Sequence, residues 1–589
     1  MKVLRIVSLL LALLLLGGCA VVGDDTLTDP STEGSTPTDT EGSTPADTEA
    51  EDTEAPVEYI DLVVDGKPQF VIVSKGEAYL DAANSLKTLL DGKTGVTFTM
   101  KRFDPAPDEA GKIYVGCDWC EVTGSKDAPK YGYYGVAWEN GNLYLCGTAA
   151  AEVEQCVSIF ASSITKEHIT KDDGGKVQVS IPTTLMFLKE PGGNEDDMLL
   201  GSSLQAYRIV HSAHATGLEK YFVMCLQEQL QRKGYDLSVV TDATAPNERE
   251  IVVGNTTRAG SAEFYGASHE PDEYAIVGKG TSLYIGYGSE LCLQGILSSF
   301  SQAYGKETVS IKRTINGIEA VQRKNETDIR VMTTNVLYAD WQAGALENAD
   351  YALRMQMTAE YINLYRPDFV GLQEAREKNQ AALTPHLDER YELVDFSEYS
   401  DETVKLAYLP VLYDADKWTV LDAAPGNWEH KLFCAWGYSW VKFARVGNET
   451  EVFYLMNLHY MPDTFVDHAS YPGQYYRLDM AGYVNEEVKR IVAEDPDAMI
   501  AITGDYNAAR ESDVFESMYR NGYLESSCML TEDTNMLTAQ KRTTIDHISV
   551  TKDHTEVVRH RKIDTFGSEY MSDHQYQFCD LRRKSAVSS

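Results

Sequence analysis

The rhythm of apolar and polar positions changes along the chain, and each change marks a boundary. Between residues 57 and about 320, short apolar runs alternate with stretches whose apolar residues recur at helical spacing, and the series repeats after about 137 to 140 residues. Phe70-Val-Ile-Val73 corresponds to Tyr207-Arg-Ile-Val210, and Ile113-Tyr-Val-Gly116 to Ile251-Val-Val-Gly254. Leu143-Tyr-Leu-Cys-Gly147 corresponds to Leu283-Tyr-Ile-Gly-Tyr287, and Phe160 to Phe300. Each copy predicts a strand, a helix (79–90; 218–233), two or three more strands and a closing helix (151–162; 290–303). The economical reading is two α+β domains in tandem, 57–190 and 191–322.

From residue 326 to 585 the pattern becomes apolar strands alternating with helices, each strand running into polar residues. Strands are predicted at 329–335, 369–374, 411–413 with Val420, 451–459, 499–505, 544–550 and 577–581, and helices at 351–364 and 478–492. The first helix must stop before Arg366-Pro367, because proline disfavours a helical residue ahead of it. The stretch 499–507, M-I-A-I-T-G-D-Y-N, condenses the arrangement. A continuous apolar run reads as a strand buried on both faces, and a glycine then delivers Asp505 and Asn507 to its edge. A carboxylate beside a core costs desolvation energy unless it meets a cation or a donor, which points to a site; Gly-Asp-x-Asn is also a common turn.

Charge and composition add a tether and an address. The 589 residues carry a formal net charge of −38, too long a chain for one core and rich enough in apolar residues (43%) for about three. Residues 1–19 combine Lys2 and Arg5, an apolar run and Leu16-Gly-Gly-Cys19, which resembles a bacterial lipoprotein signal with cleavage before Cys19 and lipidation of its thiol. Residues 20–56 hold eleven acids and no bases among Thr, Ser, Gly and Pro, a composition expected to stay a disordered, solvated linker. The mature protein is therefore expected on the outer face of the bacterial cytoplasmic membrane or at the cell surface, held by lipid. From Glu326 onward 44 acids face 25 bases, the opposite of the cationic surplus that phosphate-backbone trackers use. Cys117-Asp-Trp-Cys120 has no second C-x-x-C to complete a zinc site, so the cysteines read as packing thiols or at most one local disulfide.

The predicted strand ends carry Asn335, Glu374, His459, Asp505, Asn507, Asp546, Asp573 and His574. Any one has a structural explanation: a turn cap, a surface acid, a packed imidazole. Their recurrence at successive strand ends does not. The motifs T-T-N-V (333–336), L-Q-E (372–374), N-L-H (457–459), G-D-Y-N (504–507), I-D-H-I (545–548) and S-D-H (572–574) stand in the order found in the endonuclease/exonuclease/phosphatase superfamily, which 326–585 resembles. That resemblance implies a four-layered α/β sandwich of two packed, mostly antiparallel sheets flanked by helices. It also implies phosphoester hydrolysis by in-line attack of water. Asn335 and Glu374, with Asp573 completing the surroundings, would hold Mg²⁺ or Mn²⁺, the hard cations that amide and carboxylate oxygens suit. Asp505 would orient or deprotonate the water, with Asn507 donating to the phosphate or holding the geometry. His459 and His574 would contact the phosphate or leaving group, and Asp546 would set the tautomer and charge of His574.

Two departures concern loops. Gln575-Tyr576 stands where the family often has a proline two after the S-D-H histidine, and His547 where an aromatic usually follows the I-D aspartate. The aromatic stretch 460–476 reads as a substrate lid or as packing, Trp428, Trp436 and Trp440 invite the same question, and the basic clusters 559–562 and 582–584 read as solvated surface. Residues 57–322 are loosely similar to the small α+β domain that precedes the barrel of some glycoside hydrolases, leaving a spacer or a carbohydrate- or wall-facing contact open. The expected activity is thus a lipid-anchored, metal-dependent phosphoesterase acting on a small or head-group phosphate ester. A secreted nuclease of the same mechanism and a non-catalytic surface or glycan-binding protein are the alternatives.

Overall fold

The computed structural model describes residues 57–102, 109–117, 132–189, 197–265, 269–315, 318–338, 350–396, 409–426, 437–462, 473–537, 541, 544–564 and 566–584. The lipoprotein signal with Cys19, the acidic linker, Cys120, Trp428, Trp436 and most of the 460–476 stretch lie outside them. No helix among the described residues is long and apolar enough to cross a membrane. Cys146, Cys156, Cys225, Cys292, Cys528 and Cys579 are free thiols.

Two six-stranded sheets before residue 322 share one strand order. In the first, Thr99–Lys101, Val71–Ser74, Lys112–Cys117 and Asn142–Gly147 pair in parallel, and Tyr134–Glu139 and Phe187–Lys189 extend the edge antiparallel. In the second, Val239–Thr241, Arg208–His211, Glu250–Val253 and Ser282–Tyr287 are parallel, and Glu273–Lys279 and Ser310–Thr314 follow antiparallel. The correspondence extends to register: Ile113 pairs with Leu143 as Ile251 pairs with Leu283. The first sheet closes its own core with the helices Leu80–Thr94 and Ala150–Ser163. The second buries Ile209, Ile251 and Leu283 with the helix Gly217–Gln231, and that core runs on into the following segment through Met355, Tyr361, Val370 and Phe578.

The segment from Ile329 builds two further sheets. We label its strands β1 Ile329–Asn335, β2 Phe369–Gln373, β3 Tyr391–Leu393, β4 Val411–Asp414, β5 Trp418–Pro425, β6 Gly437–Arg445, β7 Asn448–His459, β8 Met499–Asp505, β9 Leu524–Ser526, β10 Asp546–Thr551, β11 Thr555–Lys562 and β12 Gln577–Arg583. Its helices are α1 Tyr351–Tyr365, α2 Glu377–Leu383, α3 Gly473–Glu494, α4 Asp513–Met518 and α5 Ser568–Met571. One sheet has the order β3-β4-β2-β1-β12-β11, the other β5-β6-β7-β8-β10-β9. Each contains a single parallel pair, β1 with β2 and β7 with β8; every other pairing is antiparallel.

The sheets face each other through Val331, Phe369, Val411, Phe443, Phe453, Leu455, Ala501, Ile548 and Leu581. Alternation along each strand sends the neighbouring residues outward, because successive side chains leave opposite faces. Met332, Val370 and Leu372 pack toward Met355 and Ile362 of α1, and Met456, Leu458, Ile500 and Ile502 toward Val484, Val488 and Phe515 of α3 and α4. Burial on both faces explains the continuous apolar run that opens β8, and every residue of β1 is buried as well, its polar ones included. α1 begins at Asp350, whose carboxylate accepts the Ala352 amide at 2.9 Å, and ends at Arg366 with φ 49°, directly ahead of Pro367.

The sequence pattern missed β3, β6, β9 and β11. In β6 every residue except Lys442 and Arg445 is buried, so no alternation signals a strand. The 559–562 cluster, expected on solvated surface, lies in β11: Arg559 donates to the carbonyls of Glu319 and Gln322 at 3.0 Å, and Arg561 Nε donates to Asp533 at 3.0 Å. In the second basic cluster, Arg582 pairs with Asp328 at 2.8 Å.

Candidate active site

Strand register puts three of the polar strand ends in one row. His459 is opposite Asp505 across the parallel pair β7/β8, and Asp505 is opposite Asp546 across the antiparallel pair β8/β10. The parallel ends of β1 and β2 bring Asn335 and Glu374 to the same edge from the facing sheet. Two close approaches, one between the sheets and one between neighbouring strands of a sheet, shape this edge. A Cβ on Gly371 would stand 1.9 Å from Thr503 Oγ1, and one on Gly504 2.4 Å from the Leu458 carbonyl oxygen, so each position requires glycine.

Asp505 is the hub. Its Oδ2 accepts from Asn335 Nδ2 at 3.1 Å and stands 3.5 Å from His459 Nε2 and 3.7 Å from His574 Nε2. Its Oδ1 accepts the Asn507 amide at 2.8 Å. Asn335 Nδ2 also donates to Glu374 Oε1 at 3.3 Å, and Glu374 Oε2 accepts the Tyr338 amide at 3.2 Å. His574 Nδ1 is bonded to both oxygens of Asp546, at 2.9 and 3.0 Å. Ser572 ties the two loops together, its hydroxyl donating to the Asn335 carbonyl at 2.6 Å and accepting the His574 amide at 3.1 Å. Glu374 and Asn507 both hold positive φ, 61° and 44°, a conformation that costs energy for residues with a Cβ and recurs at functional sites.

The environments of the ionisable groups diverge. Burial, reinforced by the Asp546 charge, lifts the Asp505 carboxyl to about 6 against the pull of both histidines. Burial also raises Glu374, with Asp573 adding to it. Burial lowers His459 more than Asp505 raises it, leaving a neutral imidazole. Burial opposes the His574 imidazolium too, yet Asp546, Asp505 and Asp573 overcome it and hold His574 well above the ordinary histidine value. One histidine is thus an uncharged partner and the other a cation, in one pocket.

The structure brings together Asn335, Glu374, His459, Asp505, Asp546 and His574. Asn507 lies at the rim and donates from its side chain to the Tyr460 carbonyl at 2.7 Å, so its amide shapes the turn after β8. Asp573 is exposed and accepts from the Ser572 hydroxyl at 3.4 Å; its charge acts on Glu374 and His574 through space. Asp505, Asp546 and His574 form the one group among the described residues able to share a metal ion as His, Cys, Asp or Glu ligands. A hard divalent cation suits this donor set. Carboxylate oxygens of Glu374, Asp505 and Asp546 gather in a buried pocket, where burial raises Asp505 and Glu374 and the Asp546 charge adds to the rise of Asp505.

Sequence reasoning missed the supports. Arg354, buried on α1, donates to the carbonyls of Val336, Leu337 and Met571 at 3.0 to 3.2 Å, clamping the loop after Asn335 to the segment before Ser572. Below the site Gln373 Nε2 donates to Asn457 Oδ1 at 2.7 Å, and Asn457 Nδ2 donates to the Leu372 and Pro410 carbonyls, a buried amide layer joining the sheets. Gln373 and Asn457 had a faint signal, as polar residues inside otherwise apolar runs. The loop departures are accommodated. His547 packs edge-on against Tyr506 and Phe515 as a neutral ring, burial pushing it down to about 4, and Tyr576 bonds Thr358 at 3.0 Å. Tyr460 is core, packed edge-on against Tyr506, and Trp440 is buried with Arg490 over its ring.

Residues 332–574 match the family described as Endonuclease/Exonuclease/phosphatase family, a span that includes every candidate side chain from Asn335 to His574. No curated protein matches the chain. Similar solved structures include an endonuclease/exonuclease/phosphatase from Bacteroides vulgatus, 23% identical over 44% of this chain and 100% of that one, with TM-score 0.36. Others are the mannosyl-6-phosphatase of Bacteroides thetaiotaomicron VPI-5482 (17% identity, 43% and 99% coverage, TM-score 0.34) and TDP2 of D. rerio complexed with single-strand DNA product (16%, 44% and 100%, 0.33).

Proposed function

We propose that the chain is an extracytoplasmic, lipid-anchored phosphoesterase in which residues 326–585, folded as a four-layered α/β sandwich, hydrolyse a small or head-group phosphate ester with Mg²⁺ or Mn²⁺. The observation that carries this reading is the meeting of Asn335, Glu374, His459 and His574 around the Asp505 carboxylate, from four strand ends and two sheets. Glu374 and the neighbouring carboxylates would hold the divalent metal, which would supply Lewis acidity for the phosphoryl group. Asp505, with its carboxyl near 6, is poised to take a proton from the attacking water while Asn507 fixes the turn that aims it. His574, kept protonated by Asp546, donates to a phosphoryl or leaving-group oxygen. The neutral His459 adds a second donor on the opposite side of Asp505. Splitting the two imidazoles between charge states lets one pocket neutralise developing charge and accept a proton.

A secreted nuclease is the second reading. The occupation of both basic clusters by Asp533, Asp328 and backbone carbonyls weighs against it, since a duplex-tracking surface needs cations free to meet phosphates. A phosphate-ester panel set beside a plasmid-nicking assay separates the readings. Turnover of sugar, inositol or lipid head-group phosphates with slow nicking is the expected result, and efficient nicking without ester turnover selects the nuclease. A retired fold serving as a surface or glycan-binding protein would hydrolyse neither.

A further inference from the structure

The segment that leads into His574 is held from outside its own sheets. Phe566 and Tyr570 both face Tyr221 of the helix Gly217–Gln231, at ring-centroid distances of 5.1 and 4.5 Å, and Phe222 of the same helix reaches Phe566 at 6.3 Å. Between them Gly567 has φ 79°, and a Cβ there would fall 2.6 Å from Met357 Cε and 2.9 Å from the Tyr221 ring, so this bend tolerates no side chain. The other side of the bend is fixed by α1: Tyr361 donates to the Phe566 carbonyl at 2.6 Å and Arg354 to that of Met571 at 3.0 Å. One residue further on, Ser572 bonds the Asn335 carbonyl and the His574 amide. The same helix is locked to α1 at its start, where Glu360 accepts the Gly217 and Leu218 amides at 2.6 and 2.9 Å.

We infer that Tyr221 is a positioning residue for the catalytic centre, and that the domain before residue 322 is a built-in buttress of the 566–574 segment, a closer role than a passive spacer. This inference rests on the phosphoesterase reading for its kinetic consequence only. With the bend wedged between Tyr221 and α1, the His574 ring sits at a fixed distance from Asp505; without the ring, 566–571 loses its outer wall and His574 loses alignment. Small misplacements of catalytic groups cost rate far more than binding.

The test compares Tyr221→Ala, Tyr221→Leu and Tyr221→Phe in the soluble chain, with Leu86→Ala in the separate core of residues 57–189 as the control for lost stability. Steady-state kinetics on the best ester of the panel are paired with amide hydrogen exchange over 566–574. Expected are a fall in kcat of about tenfold for Ala and Leu with KM within about twofold, near-complete rescue in Phe, and faster exchange in Ala and Leu alone. A folded Tyr221→Leu protein with unchanged kcat and exchange overturns the inference, as does a loss in Leu86→Ala equal to that in Tyr221→Ala. Should the wild-type chain hydrolyse nothing, the phosphoesterase reading fails and exchange alone decides: protection lost without the ring supports the buttress, protection kept removes it.

Discussion

Two strand edges in this molecule collect buried carboxylates, and they do so to different ends. At the edge of the second sheet Glu219 lies against Gly254, where a Cβ would be 2.1 Å from its Oε2, and accepts from Tyr287 Oη at 2.5 Å, with Glu290 and Glu360 close enough for their charges to act on it. Burial lifts Glu219 to about 7, as it lifts Asp505 to about 6. The company differs. Around Asp505 stand two imidazoles, an amide and further carboxylates on turns with positive φ, whereas Glu219 meets a tyrosine hydroxyl and, through space, the charges of Glu290 and Glu360. A displaced carboxyl therefore marks burial first. Chemistry requires the second, oppositely biased group beside it.

Substitutions that treat the two edges alike sharpen this contrast. Asp505→Asn removes the proton acceptor while keeping the shape, and ester turnover is expected to fall about a thousandfold, within the span of general-base catalysis. A loss under tenfold would place the two edges in the same structural class. Asp573→Asn is expected to lower kcat only a few-fold, because this acid is exposed and acts through its field on Glu374 and His574. A matching loss of metal response would make it a ligand after all. Glu219→Gln is expected to leave kcat within about twofold and to change stability instead. Folding raises the Glu219 carboxyl from 4.5 to about 7, so the folded chain keeps a proton that the unfolded chain has released. That stabilisation is complete below about 4.5 and is lost as pH rises through about 7. Calorimetry should find the glutamine variant more stable than wild type at pH 8, by roughly 3 kcal/mol and several degrees, and no different at pH 4. A melting difference independent of pH would refute the assignment.

The sequence disclosed the site more fully than the fold. β1 and β8 open on apolar residues and close on polar ones, and the motif residues sit at or beside strand ends. β6 was hidden by burial on both faces, and β11 by charges whose partners, Asp533 and the carbonyls of Glu319 and Gln322, come from remote segments. Arg354 and Tyr221 were illegible for a related reason. An arginine and a tyrosine on amphipathic helices look like ordinary surface, and only the three-dimensional neighbours, Met571 in one case and Phe566 with Tyr570 in the other, give them a role. The charge of His574 was foreshadowed by its pairing with Asp546, whereas the neutral state of His459 was beyond the motifs, since it depends on how deeply the ring is buried.

The most direct test is the divalent-metal dependence of phosphate-ester hydrolysis by the soluble chain. Turnover should vanish with chelator, return with Mg²⁺ or Mn²⁺, and stay absent in Asp505→Asn at saturating metal. Hydrolysis that survives chelation, or that Asp505→Asn retains, would contradict a metal-assisted centre built around Asp505.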